Sequence, residues 1–540
     1  MTAAATPIDQ AHFTEGKQVQ MNVPSTLSHL RGKRENKRTS VVIVGSGFGG
    51  LAAAIELKRS GFNNITIFER GPSVGGVWRD NIYPGAACDV PSPIYSFSYA
   101  LKPDWSALFG AQPEIHHYLT KVSQEFGIEP LIRFNTAVTS ADFDDEAGTW
   151  TVATDTGDSV EADVLILATG QLSRPKMPTV AGLDSFGGEH FHSAQWNHDV
   201  DLTNKKVVVV GSGASAVQVV PAIADRVKDL TVVQRSPNWV MWKSRRVPGR
   251  LQTALMRRFG WLRKLHHIAL FLAYEVRYPL VTRSAEPVRR LSQWYLIWRL
   301  KRHVKDPDEV AAAIPDYRLL CNRLLLSNDW YPTIGRDHVH LVGAAVDSVD
   351  ETGVYTVDGR HIDADVIVWC TGFKASEFLA PITIHGRGGV DLHEQWSQGP
   401  AAYLGMTVPN FPNMFMLFGP NTNSITNTIV FLLEHQASYI RQALDYKERN
   451  RLAWLQVSDA TYEEFQRWLE HKLDRTVFTD NCPGWYTNDQ GKVTAMWPAS
   501  HLTYARATRR FEPDEFVGWA APQPISKPSL PADEPQLARG

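Results

Sequence analysis

Two glycine-rich segments have the spacing of phosphate-binding turns. They are 45–50, with the sequence GSGFGG, and 211–216, with the sequence GSGASA. In such a segment the first glycine permits a tight turn, the second lets the backbone approach a pyrophosphate, and the third lets a helix pack closely on a strand. The following helix presents unpaired N–H groups to the phosphates. The residues at these three places are Gly45, Gly47 and Gly50 in the first segment and Gly211, Gly213 and Ala216 in the second.

The residues that follow the next strand indicate which nucleotide each turn binds. In the first unit this residue is Glu69, followed by Arg70. A carboxylate here accepts hydrogen bonds from ribose hydroxyls and repels a 2′-phosphate, which suits the adenosine half of FAD, or NAD. The second unit has Arg235 and Ser236, which can pair with and hydrogen-bond to the 2′-phosphate of NADPH. A chain that binds a flavin and NADPH is predicted to be a redox enzyme.

Each glycine segment lies in a strand, turn, helix, strand pattern. Val41–Val44 and Lys206–Val210 are apolar runs without alternation, as in parallel sheets that are buried on both faces. Residues 239–303 differ, because bulky apolar side chains alternate there with many Arg and Lys. We therefore expect an α/β fold with two dinucleotide-binding, Rossmann-like domains, in which the FAD domain is discontinuous and the NADP domain carries a helical insertion.

The pattern also divides the chain into units. The insertion is open to two interpretations, a helical cap over the active site or a basic amphipathic surface in peripheral contact with a membrane. No window of about 18 residues in it is free of charge, so we expect no transmembrane segment. The expected units are a leader (1–38), the FAD-binding domain (39–180 and 381–518), the NADP-binding domain (181–238 and 316–380), the helical insert (239–315) and a disordered Pro-rich tail (519–540).

Composition limits the classes of partner. A formal net charge of −2 gives no electrostatic case for nucleic acid. The first forty residues lack the apolar run of a secretory signal. The four cysteines form neither a CxxC pair nor a metal-ligand spacing, so we expect a reducing, cytoplasmic location, no metal site and no cysteine pair as electron acceptor. Dioxygen, a small electrophile or a carrier protein remain as acceptors. These cysteines are Cys88, Cys321, Cys370 and Cys482.

A segment between the two units resembles a known fingerprint. Residues 186–197 are similar to the FxGxxxHxxxW(P/D) motif of Baeyer–Villiger monooxygenases, although Asn197 stands where that family has Pro or Asp. The related N- and S-oxidising flavin monooxygenases carry Phe or Tyr in place of the Trp. The match therefore favours the ketone-oxidising branch. The residues in register are Phe186, Gly188, His192 and Trp196.

The resemblance extends from about Ser40 to Phe516 and implies further cofactor contacts. A segment similar to the family's flavin-proximal region has Ala87 where an Arg is common. Asn322 replaces a lysine that often touches the 2′-phosphate in the family, so selectivity for NADPH would rest on Arg235. The additional residues expected at the cofactors are Gly76, Trp78, Tyr83, Asp89 and Trp485.

The resemblance also implies a mechanism. In the family an aspartate and an arginine meet at the flavin, and the matching residues are Asp89 and Arg323. NADPH would reduce the flavin, O₂ would give a C4a-peroxyflavin, and attack on a ketone would produce an ester or lactone. Arg323 would stabilise the anions that form, and Asp89 would orient Arg323. Without the resemblance, the two charges would be interpreted as a structural ion pair or as solvated groups.

Several alternatives remain open at this point. The chain could be an N- or S-oxygenating flavin monooxygenase, or a redox-sensing or binding protein that uses FAD without turnover. His192 could be a general base or could make an orienting hydrogen bond between domains. Trp485 could cover the nicotinamide nucleotide or only pack in its loop. Loops near 421–431 and Trp485, with the insert, are expected to shape the substrate pocket.

Overall fold

The computed structural model describes residues 38–480, 484, 486–488 and 490–520. The expected leader therefore lies outside the described residues except for Arg38. The expected Pro-rich tail lies outside them except for Trp519 and Ala520, which belong to a strand.

The described strands are numbered in chain order. They are β1 (Val41–Val44), β2 (Ile65–Phe68), β3 (Ile132–Arg133), β4 (Val138–Asp144), β5 (Thr149–Thr154), β6 (Ser159–Ala162), β7 (Val164–Leu167), β8 (Glu189–His192), β9 (Lys206–Val210), β10 (Asp229–Val233), β11 (Val240–Met241), β12 (Leu325–Leu326), β13 (Val339–Val342), β14 (Val346–Val349), β15 (Gly353–Thr356), β16 (His361–Asp363), β17 (Val366–Trp369), β18 (Thr383–His385), β19 (Met414–Met416), β20 (Leu452–Val457) and β21 (Phe516–Ala520).

The described α-helices are numbered in the same way. They are α1 (Phe48–Arg59), α2 (Val77–Asp80), α3 (Gln112–Glu125), α4 (Ala214–Ile223), α5 (Arg250–Arg258), α6 (Gly260–Glu275), α7 (Glu286–His303), α8 (Pro307–Ala312), α9 (Trp330–Ile334), α10 (Leu392–Gln395), α11 (Ile429–Arg449), α12 (Asp459–Leu473) and α13 (His501–Ala507).

The first sheet has the strand order β19-β7-β1-β2-β3, and all neighbouring strands are parallel. All four residues of β1 are buried because both faces of the sheet are covered. Val41 and Ile43 pack with α1 and α11, while Val42 and Val44 pack against the sheet β18-β4-β5-β6. Since β19 joins from the far end of the chain, the sheet is discontinuous in sequence.

The second sheet has the order β13-β10-β9-β17-β8 and is also parallel throughout. One face of β9 packs against α4, and the other packs near the antiparallel sheet β14-β15-β16. The two sheets therefore repeat one plan, a parallel sheet between helices and a small sheet that is mostly or entirely antiparallel. This arrangement confirms the predicted fold class.

The helices of the insert lie between β11, near its start, and β12, beyond its end, and these two strands pair with each other in parallel. Helices α5, α6, α7 and α8 fill the interval. A buried arginine holds the connection between α6 and α7, because Arg289 donates from Nη1 to the carbonyl of Leu280 at 2.8 Å and from Nη2 to Glu286 at 3.0 Å. Within the described residues, no helix combines the length and apolarity needed to cross a bilayer.

Candidate active site

One cavity of about 980 Å³ is lined by both glycine turns. It lies at the carboxyl ends of β1 and β9, where nucleotides bind in doubly wound sheets. Its volume lies near the upper end of the range for ligand pockets, so the cavity is large enough for a dinucleotide-sized ligand. The predicted residues that line the cavity are Gly45, Gly47, Glu69, Arg70, Gly76, Trp78, Tyr83, Asp89, Gly211, Gly213, Arg235, Ser236 and Arg323.

The glycines of the first turn have different tasks. Gly45 has φ +102°, and a Cβ there would lie 2.6 Å from the carbonyl oxygen of Ala168, at the end of β7. A Cβ on Gly50 would lie 1.9 Å from the carbonyl oxygen of Gly45. Gly47 is different, because its Cβ would meet only the Cα of Gly76, at 3.8 Å. The lack of a side chain at Gly45 and Gly50 therefore allows the tight turn. At Gly47 the lack of a side chain leaves the backbone accessible from the cavity.

The second turn repeats this division. Gly211 has φ +122°, and a Cβ there would lie 2.3 Å from the carbonyl oxygen of Cys370, at the end of β17. A Cβ on Gly213 would meet nothing within 4 Å. Ala216 is fully buried and packs in the core between α4 and the sheet. The methyl group at the third position is therefore accommodated, and open backbone again faces the cavity.

Glu69 is buried and already holds four donors. Its Oε2 accepts from the backbone N and the hydroxyl of Ser46 at 2.9 and 2.7 Å. Its Oε1 accepts from Gly71 N and from Arg79 Nη1, both at 2.8 Å. Burial opposes the charge, but Arg79 and these hydrogen bonds hold the pKa of Glu69 below its ordinary value. A ribose contact by Glu69 therefore requires one donor, such as the Ser46 hydroxyl, to rotate away.

Arg235 lies at the mouth of the second unit. Its side chain is exposed and lines the cavity, and within the described part of the chain it makes no ion pair. The backbone carbonyl of Ser236 accepts from the Ser212 hydroxyl at 2.5 Å, which fixes this loop against the glycine turn. Asn322 also lines the cavity but carries no charge. Of Arg235, Ser236 and Asn322, only Arg235 can therefore supply a positive charge to a 2′-phosphate.

The structure brings Asp89 and Arg323 together although they are 234 positions apart. Arg323 Nη2 lies 3.5 Å from Asp89 Oδ2. The Arg323 side chain is 38% exposed, whereas the Asp89 side chain is 9% exposed. Asp89 Oδ1 is buried and, among the described residues, has no hydrogen-bond partner. The contact is longer than a close hydrogen bond, so the guanidinium is paired with Asp89 without being locked.

The charge on each member of this pair affects the pKa of the other. Burial raises the pKa of Asp89, and the positive charges of Arg323 and Lys243 oppose that rise without cancelling it. Burial disfavours the charge on Arg323, but the negative charge of Asp89, together with smaller contributions from neighbouring Tyr and Cys side chains, raises the pKa of the guanidinium above its ordinary value. Arg323 therefore supplies a permanent positive charge to the cavity.

The part of the cavity wall that the first nucleotide unit forms is fixed by hydrogen bonds of Tyr83, Trp78 and Arg70. The Tyr83 hydroxyl donates to Gln218 Oε1 at 3.0 Å, and burial raises the pKa of Tyr83 to about 12. Trp78 Nε1 donates to the Tyr95 hydroxyl at 3.1 Å. Arg70 Nη2 donates to the carbonyl of Ser173 at 2.7 Å. These contacts fix the wall from Arg70 to Tyr83 without using Asp89.

Two cavity residues, Gln218 and Gln171, were not identified from the sequence, and neither was Lys243, which lies outside the cavity lining. Gln218 Nε2 donates to the carbonyl of Ala87 at 2.9 Å, so α4 of the second unit is bonded to the flavin-proximal segment. Lys243 belongs to the insert, and its positive charge lowers the pKa of Asp89. The detectable signal for Gln218 was an amide within the mostly apolar helix α4.

The fingerprint residues do not line the cavity. Gly188 allows β8 to pack, because a Cβ there would lie 2.3 Å from the carbonyl oxygen of Asp365. His192 is buried at the end of β8, and its Nδ1 accepts from Ala194 N at 3.0 Å. Burial lowers the pKa of His192, so its imidazole is neutral near pH 7. Phe186 packs with the core of the second sheet, and Trp196 packs edge-on against Phe191 at 5.1 Å.

Two cysteines line the cavity, and burial raises the pKa of the Cys88 and Cys370 thiols to about 12. Both are free. Since the thiolate is the reactive form, neither is poised for thiol chemistry near neutral pH. Trp485 lies outside the described residues.

The donor and acceptor set fits two dinucleotides. Open backbone at Gly47 and Gly213 faces the cavity from the N-termini of α1 and α4. Two buried cavity acceptors, Asp89 Oδ1 and Gln171 Oε1, have no partner in the described part of the chain. They suit N–H groups such as those of an isoalloxazine ring or a carboxamide.

Comparison with known proteins agrees with this geometry. A family model for pyridine nucleotide-disulphide oxidoreductases matches residues 42–277. A structure of oxidized steroid monooxygenase bound to NADP matches with a TM-score of 0.79 and 30% identity, covering 89% of this chain and 99% of that one. Cyclohexanone monooxygenase from Rhodococcus sp. Phi1 bound to NADP⁺ matches with a TM-score of 0.80 and 27% identity, with the same coverage.

Two relatives resemble the chain over nearly its whole length. A Baeyer–Villiger monooxygenase of Streptomyces coelicolor is 36% identical and covers 92% of this chain and 96% of its own length. Another, from Pseudomonas aeruginosa, is 36% identical over 482 residues, which cover 89% of this chain and 91% of that protein. The extent of this identity, together with the paired glycine turns, shows that the chain belongs to the Baeyer–Villiger monooxygenase family.

Proposed function

We propose that the chain inserts one oxygen atom of O₂ next to the carbonyl of a ketone, which gives an ester or lactone. Ketone, O₂, NADPH and a proton are consumed, and ester, NADP⁺ and water are produced. The observation that carries the proposal is the Asp89–Arg323 ion pair, which lies in the same cavity as both glycine turns.

As a Baeyer–Villiger monooxygenase, the chain is a flavin enzyme that uses NADPH. When bound, FAD accepts a hydride from NADPH and activates O₂. In our proposal the FAD domain (39–180 and 381–518) presents Gly47 to the FAD pyrophosphate. The NADP domain (181–238 and 316–380) presents Gly213 to the NADPH pyrophosphate and Arg235 to its 2′-phosphate.

Arg323 is the proposed catalytic residue. Its guanidinium lies between the two nucleotide units and carries a permanent charge. Negative charge develops on oxygen when a carbonyl is attacked, and a fixed cation stabilises that charge most strongly where water is excluded. Leu417, Ile429 and Leu433 form an apolar wall of the cavity and would exclude water.

Asp89 is proposed as the residue that positions Arg323. Its carboxylate is buried while the guanidinium is partly exposed, so the arginine is the member of the pair that can move. A separation of 3.5 Å allows Arg323 to shift toward the substrate without loss of its counter-charge. His192 has no place in this scheme as a base, because it is buried at the end of β8 outside the cavity lining and its Nδ1 already accepts from Ala194 N.

The test is product analysis with a substrate panel. The holoenzyme is supplied with NADPH, O₂ and cyclic, linear, aromatic or steroid ketones, or with a thioether, and the products are identified by mass spectrometry. We expect esters or lactones whose added oxygen comes from ¹⁸O₂. Sulfoxide from the thioether, with no ester from any ketone, would instead assign the chain to N- or S-oxygenation. Reactions with NADH in place of NADPH serve as the cofactor control.

A further inference from the structure

The helical insert has a charge opposite to that of the remaining chain. Residues 239–315 contain sixteen Lys and Arg against five Asp and Glu, a formal net charge of +11. Since the whole chain has a net charge of −2, the remainder carries −13. A segment of 77 residues therefore concentrates positive charge on a protein that is otherwise acidic. Such asymmetry indicates attraction to an anionic partner.

The same segment exposes apolar side chains. Of the 21 large apolar side chains exposed in the described part of the chain, thirteen lie between Trp242 and Trp298. Isolated exposed apolar residues need no explanation, but a concentration of this kind marks an interaction surface. The exposed apolar residues are therefore clustered where the positive charge is clustered.

Helix α7 shows how the two properties are combined. Its buried face consists of Arg289, Leu296 and Leu300. Successive residues of a helix are rotated by about 100°, which places Leu291 and Trp298 opposite the buried face, with Trp294 beside them. In a helix that faces water this opposite face is expected to be polar. The side chains of Leu291, Trp298 and Trp294 are 67%, 44% and 64% exposed, respectively.

Cations flank this apolar face. The Arg302 guanidinium lies over the Trp298 ring, 4.8 Å from its centroid. Lys301 and Lys305 are exposed at the same end of the helix, and Arg290 is exposed toward its start. The Tyr295 and Trp298 rings stack at 5.8 Å, which fixes the aromatic surface.

Helix α6 has the same two-faced character. Its inner face packs Phe271 against Phe431 at 4.5 Å, and the carboxylate of Glu275 accepts a 3.0 Å hydrogen bond from Asn427, a cavity residue. Trp261 and Leu265 lie on another side of the helix, Val276 directly follows its last residue, and all three side chains are exposed. The inner face thus covers the active site, and an apolar outer face is presented to the surroundings.

We propose that the exposed apolar and basic surface of the insert docks on an anionic lipid bilayer. Tryptophan prefers the interface between headgroups and acyl chains, aliphatic side chains enter the outer acyl region, and Lys and Arg bind anionic headgroups. Nucleic acid would match the cations but leave Leu291, Leu265 and Val276 in water. A symmetric contact with a second copy would place two positively charged inserts against each other.

The experiment measures binding of the full-length holoenzyme to vesicles by flotation. Vesicles of phosphatidylcholine alone are compared with vesicles that also contain phosphatidylglycerol, at low and high salt. We expect binding to the anionic vesicles that weakens as salt rises, because salt screens the attraction.

Two sets of variants separate the apolar and charged contributions. The double variant Trp294→Gln/Trp298→Gln and the triple variant Lys301→Gln/Arg302→Gln/Lys305→Gln are each expected to weaken vesicle binding about tenfold or more. The matched controls, Trp519→Gln and Lys121→Gln/Arg467→Gln, change exposed side chains outside the insert and should bind as the wild type. Flavin content and NADPH oxidation without vesicles verify that each variant is folded.

Each remaining outcome would overturn the proposal. These outcomes are no binding by the wild type, equal binding to both kinds of vesicle, or equal loss in the control variants. Retention of duplex DNA without vesicle binding would assign the surface to nucleic acid. A wild-type oligomer that becomes monomeric in Trp294→Gln/Trp298→Gln, without vesicle binding, would assign it to a second copy of the chain.

Discussion

The Tyr83 hydroxyl donates a 3.0 Å hydrogen bond to Oε1 of Gln218, and Nε2 of the same amide donates to the carbonyl of Ala87 at 2.9 Å. Tyr83 and Ala87 belong to the wall next to Asp89, whereas Gln218 belongs to helix α4 of the second nucleotide unit. A single amide therefore bonds the wall of the first nucleotide unit to helix α4 of the second.

Gln218→Ala should impair the transfer of electrons between the bound nucleotides more than it impairs folding. Loss of two hydrogen bonds between the units lowers the free energy of unfolding by about 1–3 kcal/mol. The misaligned units should oxidise NADPH with less product, which is measured as the ratio of ester formed to NADPH consumed. Gln466→Ala, which removes a bond to the Ala402 carbonyl remote from the cavity, is the control. An unchanged ratio in Gln218→Ala would contradict this role.

Arg323→Ala should separate flavin reduction from ester formation. The variant loses the cation that stabilises the developing oxyanion, so ester formation should fall about a hundredfold to a thousandfold. Reduction of the flavin by NADPH under anaerobic conditions should persist. Arg323→Lys should restore part of the ester yield, since it keeps the charge without the planar fork. Arg336→Ala, at an exposed ion pair with Asp225, is the control, and normal ester yield in Arg323→Ala would refute the assignment.

Lys243→Gln should move the acidic limb of the pH profile to higher pH. Burial raises the pKa of Asp89, and Lys243 is one of the two cations that oppose the rise. Because Asp89 must be ionised to hold Arg323, activity is lost as the pH falls through the pKa of Asp89. Removal of Lys243 raises that pKa further, so the loss begins at a higher pH. The measurement is kcat/KM for the ketone against pH, with Lys121→Gln as the exposed control. A limb that stays in place would exclude coupling between Lys243 and Asp89.

The fold could be predicted because its signals are local. Apolar strands such as Val41–Val44 and the glycine turns that follow them are contiguous in sequence, and each repeats once. The return of β19 to the first sheet and the helical character of the insert also agree with expectation. Periodicity and turn chemistry fix these features without knowledge of distant contacts.

The residues of the site were harder to predict from the sequence than the fold, because they come together from distant parts of the chain. Asp89 and Arg323 are far apart in sequence, so their pairing followed only from resemblance to a family. Gln218 and Lys243 had no motif to mark them, since their roles depend on how the second unit and the insert are placed against the first. The hydrogen bond from Ser46 and the ion pair with Arg79 at Glu69 could not be predicted either, because they depend on the packing of α2 beside the turn.

Arg235→Ala should remove the preference for NADPH over NADH. The Arg235 guanidinium is exposed at the cavity and makes no ion pair with the described residues, so it is available for a 2′-phosphate. Loss of a charge-assisted contact should raise KM for NADPH on the order of tenfold to a hundredfold and leave KM for NADH nearly unchanged. Arg226→Ala, which removes an exposed arginine of the same unit near Asp201, is the control. Parallel changes in both KM values would show that Arg235 does not read the phosphate.

Alanine substitutions at the two glycines of the second turn should have opposite signatures. Gly211→Ala places a Cβ 2.3 Å from the carbonyl oxygen of Cys370 at a residue with φ +122°, so the backbone must shift and unfolding should become easier by about 2 kcal/mol or more. Gly213→Ala meets nothing within 4 Å and has φ −70°, which alanine adopts freely, so its thermal unfolding should match the wild type. The added methyl group nevertheless occupies the space next to the open backbone, where the pyrophosphate would lie. We therefore expect Gly213→Ala to raise KM for NADPH while the flavin stays bound, and a wild-type KM in this variant would mean that the phosphates bind elsewhere.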